Sequence, residues 1–524
     1  FDLDIDTDVQ LTHLKSDETT WLSDRPVSID VGLKINKSTD LYTFTGGDIQ
    51  ISDLQLTVDG SIQNQSDPVF DLKLGGKDLD ISSFLSVLPA GYDEQIKKYR
   101  SDGKFYCSAE LKGVWGKKTY PLITASFGIS EGEITQKEND IQLEGVNLIG
   151  TFTNGSQHNM TSSELSLKQV RMKLRGGDVK GDLLIRNFSQ PYIQVKADAS
   201  LALSDIQQFF PLDPLQLKSG TARLNLQLRG PLAGRFSPGD PDHEELHANG
   251  LLQISDASFR IAGDSLSYTG FSGNFSFNNN DVSVDNFRGL AGRTDFMMKG
   301  NLGNVFGYLF TKDQPIRIET TVQSKHVYLD ELFGRHAAST PTPADNAGAY
   351  SFRISPRLNL KVNARVDQLQ FRKFRASSIV GDFRVANREL VAERLLLKTM
   401  GGALSMSGSV DGTQEKHLLL SCTAKLSKVD INRVFVECEN FGQDVMMDKN
   451  IRGKLDADVS LTSLVSPGLE IDLNKLYCRS DIVITQGELI EFTPLNNLSR
   501  FISLDELKHV KFSTLKNQIE IRDR

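Results

Sequence analysis

Apolar and polar residues alternate through nearly the whole of this 524-residue chain. Leu54, Leu56 and Val58 enclose Gln55 and Thr57. Phe70, Leu72 and Leu74 enclose Asp71 and Lys73, and Leu224, Leu226 and Leu228 enclose Asn225 and Gln227. Leu358, Leu360, Val362, Ala364 and Val366 alternate with Asn359, Lys361, Asn363 and Arg365. A period of two puts successive side chains on opposite faces of an extended strand. Each segment therefore has one apolar and one strongly polar face, as in antiparallel sheet with one side in water. Parallel α/β sheets need unbroken apolar runs and long amphipathic helices, and neither occurs. The expected fold is mostly β: an elongated, curved antiparallel sheet with short interspersed helices.

Four short helices are expected, near Ile81–Val87, Asp205–Phe210, Asp330–Phe333 and Asp430–Val436. Each begins at or beside an aspartate able to accept a backbone N–H as an N-cap. Asp80, Asp205, Asp330 and Asp430 are spaced 125, 125 and 100 residues apart. A Gly-rich turn precedes each: Gly46-Gly47, Gly176-Gly177, Gly289 to Gly292, and Gly401-Gly402. The pattern reads as degenerate units of roughly 100–130 residues, each several strands plus a helix. The paired glycines suit hairpin or bulge positions. Residues 337–349, rich in Ala, Thr and Pro, read as a flexible loop between groove units over 1–336 and a further region over 350–524.

Several chemistries are excluded or unsupported. A net charge of −8 with no Lys/Arg block argues against nucleic acid. Cys107, Cys422, Cys438 and Cys478 are too few and too scattered for a disulfide framework; they read as small hydrophobes, with a single bridge left open. His243, Glu244 and His247 match H-E-x-x-H, but Pro241 and Asn249-Gly250 leave no room for the helix a zinc site requires. No metal, cofactor or catalytic group is expected. The longest apolar-rich runs, Ile81–Tyr92 and Gly300–Thr311, have 12 residues each, against about 20 for a spanning helix. The chain opens at Phe1 and stops within an alternating run, and is expected to be a segment of a longer protein.

What remains is the apolar face itself. In a sandwich or barrel it would be a closed core; on one open sheet it would be a trough, and exposed apolar area of that size means a ligand, partner or membrane. The candidate lining is Leu54, Leu56, Val58, Phe70, Leu72, Leu74, Leu224, Leu226, Leu228, Phe275, Phe277, Leu358, Leu360, Val362, Val366, Val459 and Leu461.

The repeated strand, glycine, strand and Asp-[Ile/Val] helix resembles the AsmA-like proteins of Gram-negative envelopes. The closest segments are Val429 to Phe435, Asn440 to Gln443, Ile451 to Gly453, Gln486 to Leu489, Thr493 to Leu498, Leu504 to Leu507 and Val510 to Thr514. Firm resemblance covers roughly 360–524 and a weaker one the rest. The family's N-terminal anchor is missing here, and its C-terminal region breaks off. The resemblance implies a repeating β-groove, similar to TamB-type bridges, that carries phospholipids through the periplasm. It also implies inner-membrane anchoring in the full-length protein and contact with other envelope proteins. On that reading roughly 35 strands at about 4.8 Å spacing would give a groove on the order of 170 Å. The competing expectation is a non-enzymatic structural or regulatory envelope protein whose apolar face is a closed core.

Overall fold

The computed structural model describes residues 1–524 except 17–18, 53, 82–97, 118, 211, 213, 232–245, 311–312, 333–352, 415, 467–470, 499–503 and 523–524. The expected helix over Ile81–Val87 (beyond Ile81), the loop at 337–349, and His243 and Glu244 lie outside the described residues. Strand accounts for 72% of the chain and helix for 9%, so the mostly-β expectation holds. Among the described residues there are 25 strands rather than some 35, because single strands run to 18 residues.

The chain forms two compact units, one of Phe1–Asp213, Leu217–Ile254 and Ser276–Asn280, the other of Pro214–Gln216, Ser255–Phe275 and Asp281–Arg524. In the first, each strand from Asp2–Ser16 to Leu215–Pro231 pairs antiparallel with the one before it. In the second, the strands from Asp281–Ala291 to His509–Arg522 follow the same rule, with one exception. Ile316–Tyr328 and Leu358–Phe371 pair in parallel, Ile318 opposite Leu360 and Val322 opposite Ala364. Among the described residues, Asp2–Ser16 pairs only with Thr19–Asn36, and His509–Arg522 only with Tyr477–Ile490.

Register shifts recur across these ladders and follow residues held at positive φ. Glu131, Gln169 and Lys428 have φ near 50°. An extra residue on one strand leaves one N–H outside the ladder. A side chain on the polar face of the neighbouring strand captures it: Glu131 N–H donates to Asn147 Oδ1 (3.2 Å), Gln169 N–H to Asp182 Oδ1 (2.9 Å) and Lys428 N–H to Asp456 Oδ1 (3.1 Å). Bulges bend and twist a strand locally, which curves a sheet.

The glycine pairs fall where the sequence suggests. Gly46 and Gly47 sit at φ +105° and +154° on the register shift between Phe44 and Asp48, and Gly401 (φ +73°) closes the hairpin that pairs Thr399 with Gly402. A second group of glycines lies under aromatic rings on the neighbouring strand. A Cβ on Gly150 would lie 2.2 Å from the Phe127 ring, and one on Gly487 2.0 Å from Phe512. We predict that Gly150→Ala destabilises the first unit by about 1–3 kcal/mol, since the ring has to leave its position. Gly176→Ala, with nothing within 4 Å of the added methyl, should stay within about 0.5 kcal/mol in the same urea titration.

Three of the described helices follow directly on strands: Leu203–Phe209, Leu329–Leu332 and Ile431–Glu437. Asp205 and Asp430 are not side-chain caps, contrary to expectation. The N-cap of Leu203–Phe209 is Ala202, and Asp430, the N-cap of Ile431–Glu437, makes no side-chain cap bond. A strand running straight into a helix leaves little turn for a cap to close. The acids instead tie the helices to other parts of the sheet. Asp205 meets Arg175 of a hairpin turn at 3.2 Å, Asp330 accepts Arg372 N–H of another turn at 2.7 Å, and Asp430 accepts Lys454 at 2.6 Å.

Candidate functional site

Residues directly opposite on paired strands share a face of the sheet. In the first unit one such rung runs Val58, Leu74, Ala109, Ala125, Phe152, Leu165, Ile185, Ile193, Gly230. The next runs Cys107, Phe127, Gly150, Leu167, Leu183, Val195, Leu228. Neither contains a polar side chain, apart from the thiol. One position along, the rung reads Lys73, Glu110, Thr124, Thr153, Glu164, Arg186. It carries the cross-strand ion pairs Lys73–Glu110 (3.3 Å) and Arg186–Glu164 (2.9 Å).

The second unit repeats the arrangement. Met298, Val322, Ala364, Gly381, Leu395, Met406, Ala424, Val459, Ser480 and Ile519 form a rung across ten strands, with one hydroxyl among them. Beside it lie Val362, Phe383, Ala392, Gly408, Cys422, Leu461 and Cys478.

Burial along the strands gives this face its character. On Leu418–Asp430 the end residues Leu418 and Val429 are buried, at 4% and 0% exposure, while Leu420, Cys422, Ala424 and Leu426 between them are only half-buried. That stretch spans about 20 Å at 3.3 Å per residue. Helix Ile431–Glu437 closes one end, placing Ile431 and Val434 in a cluster with Met400, Val429, Ile451, Leu455 and Ile484. Helix Leu203–Phe209 does the same in the first unit, with Phe209 against Ile141, Leu143, Val146 and Leu174. The helices therefore seal strand ends and leave mid-strand apolar residues partly open.

Of the residues expected to line a groove, Leu56, Phe70, Leu72, Leu74, Leu224, Leu226, Leu228, Phe275, Phe277, Leu358, Leu360, Val362, Val366, Val459 and Leu461 are half-buried. Leu54 and Val58 are buried, at 4% and 1% exposure, and belong to a covered stretch. Alternation found Phe275 but missed Phe271, Phe287 and Phe296, which complete an aromatic cluster with ring centroids 5.3–5.8 Å apart. A bulge between Val284 and Phe287 changes which positions face inward there, so a fixed period of two loses the face.

The four cysteines are unbridged. Burial pushes the thiols of Cys107, Cys422 and Cys478 up from their ordinary value, which holds them protonated and slow to react. His247 opens the strand His247–Ile261 rather than lying on a helix, and its Nδ1 is 3.0 Å from Asn279 Oδ1. A cleft of about 770 Å³ lies over the polar side, among Glu164, Lys168, Asp182, Arg186, Lys196 and Arg229. Its mixed charge gives no single ligand chemistry. Among the described residues, no helix is long and apolar enough to cross a membrane.

No protein-family model, curated protein or solved structure matches the chain.

Proposed function

We propose that the half-buried apolar face binds the acyl chains of phospholipids and serves as a path for their movement between membranes. The observation that carries the proposal is the run of apolar rungs, ten strands wide in the second unit, whose mid-strand residues stay partly open. An acyl chain gains about 0.8 kcal/mol for each CH₂ withdrawn from water. Neighbouring strands lie about 4.8 Å apart, so a chain crossing the rungs meets fresh apolar surface every few ångströms. It can then shift along the face without exposing its length to water. The apolar rungs traced above carry no charged side chain, so a headgroup stays on the open, wet side. No catalytic step is required, and the AsmA-like resemblance of the C-terminal half points the same way, with a periplasmic setting.

The test is photo-crosslinking in cells from Leu226 and Leu360 against their neighbours Gln227 and Lys361, which face the other way. Lipid adducts should form at the two leucines only. Equal adducts from both faces, or none from either, would favour the closed-core alternative.

A further inference from the structure

We propose that the loop carrying Phe441 and Val445 is a docking tip for the surface of a zwitterionic lipid bilayer. Among the described residues of the second unit, Val445 (63% exposed) and Phe441 (52%) are the most exposed large apolar side chains. Val436, on the helix just before them, is 42% exposed. Glu439, Asn440, Phe441 and Gly442 have φ between 53° and 67°, a full turn in the left-handed region. Bulky residues rarely enter that region, because Cβ crowds the following carbonyl. Three side-chain amides hold the loop in this form. Asn440 Oδ1 accepts Asp448 N–H at 2.9 Å, and Gln443 Oε1 accepts the N–H groups of Val445 and Met446 at 2.8 and 2.9 Å. Asn450 Oδ1 accepts Met447 N–H at 3.1 Å while its Nδ2 donates to Ile490 O at 3.0 Å. A strained and pinned backbone thus holds two large apolar side chains out in water.

Size, charge and continuity single out the occupant. Three large apolar residues are far fewer than the roughly 20–30 residues a side of a stable protein–protein interface. A bilayer surface needs only a few, since each apolar side chain that leaves water contributes by itself. Between Glu437 and Asn450 the chain carries four acids, Glu437, Glu439, Asp444 and Asp448, and one cation, Lys449. That balance repels an anionic membrane and suits the ammonium groups of zwitterionic headgroups. The tip is also joined to the apolar face. Phe441 meets Phe435 edge-on, with 5.3 Å between ring centroids. Phe435 and Met446 pack on the cluster of Val429, Ile431 and Ile484, as do Leu426 and Val459 of the half-open face. Docking at Phe441 therefore sets a bilayer against one end of that face. The inference deepens the acyl-chain reading, and rests on it for its purpose, by naming where a chain passes between bilayer and protein.

The experiment is co-sedimentation of the purified chain with phosphatidylcholine vesicles, beside binding of a soluble fluorescent lipid without vesicles and circular dichroism. Phe441→Asp and Val445→Asp should each weaken vesicle binding about tenfold, with soluble-lipid binding and the spectrum unchanged. Phe210→Asp, at an equally exposed ring in the first unit, should leave vesicle binding intact. Replacing part of the phosphatidylcholine by phosphatidylglycerol should weaken binding, through repulsion by the acids of the loop. No vesicle binding by the unaltered chain, unchanged binding in both tip variants, an equal loss in Phe210→Asp, or tighter binding to the anionic vesicles would each overturn the proposal. So would self-association that Phe441→Asp abolishes, which would assign the surface to a second copy. Vesicle binding that depends on Phe441 in a chain that takes up no soluble lipid would sustain the tip and remove the acyl-chain reading alone.

Discussion

Replacing Leu226 or Leu461 by aspartate is expected to abolish acyl-chain binding while the sheet stays folded. Both leucines are half-buried at mid-strand, Leu226 opposite Ala197 and Leu461 between Cys422 and Cys478. With the face empty, a carboxylate there keeps much of its hydration, so folding loses little. With an acyl chain over it the charge is stripped of water and has no cation to meet, which costs several kcal/mol. A loss of about 3 kcal/mol corresponds to more than a hundredfold in affinity. Gln227→Asp and Ser460→Asp, one residue along on the polar face, should bind normally. The measurement is equilibrium binding of a fluorescent long-chain lipid, with circular dichroism on the same samples. Retained binding in Leu226→Asp would refute the groove. Cooperative unfolding of that variant at room temperature would instead mean that the leucine belongs to a closed core.

How much of this was legible in the sequence depends on what each feature needs. The period of two settled fold class and the facing of Leu224 to Leu228 and of Leu358 to Val366, because strand geometry allows only one assignment of faces. It could not settle which strands neighbour each other, so the parallel pairing of Ile318 with Leu360 came only from the structure. Bulges hid further detail. Asn286, at φ 51°, resets the alternation, and Phe287 joins Phe271 and Phe296 on a face that counting would have denied it. The aspartates at 205, 330 and 430 marked helices correctly, but at 205 and 430 for the wrong reason, since neither caps its helix. Their partners, Arg175, Arg372 and Lys454, are 24–42 residues away in sequence and are brought near by strand pairing, parallel in the case of Asp330 and Arg372. Nor could alternation separate Val58 from Leu74, which share a rung although Val58 is covered and Leu74 is partly open.

Phe209→Ala is expected to cost the first unit about 3–5 kcal/mol, the range for deleting a buried ring. Phe209 is 2% exposed and packs on Ile141, Leu143, Val146 and Leu174, with Tyr99 at 5.3 Å between ring centroids. It belongs to a helix of seven residues, too short to be stable alone, so the helix persists only through such contacts and the Asp205–Arg175 pair. Losing the ring leaves a cavity and loosens the cover over the strand ends. Phe210, the adjacent residue, is 52% exposed, and its replacement by alanine should change stability by no more than about 0.5 kcal/mol. Urea unfolding of the two variants gives the comparison, and hydrogen exchange at Ile141–Thr153 and Glu164–Leu174 localises it. The helix acts as a lid on one end of the apolar face, so Phe209→Ala should raise exchange at Ile141 and Leu143 before it does at Phe152, which lies beyond the covered stretch. Equal losses for Phe209→Ala and Phe210→Ala, or exchange rising uniformly along Ile141–Thr153, would mean that the helix seals nothing and that the sheet holds its ends closed without it.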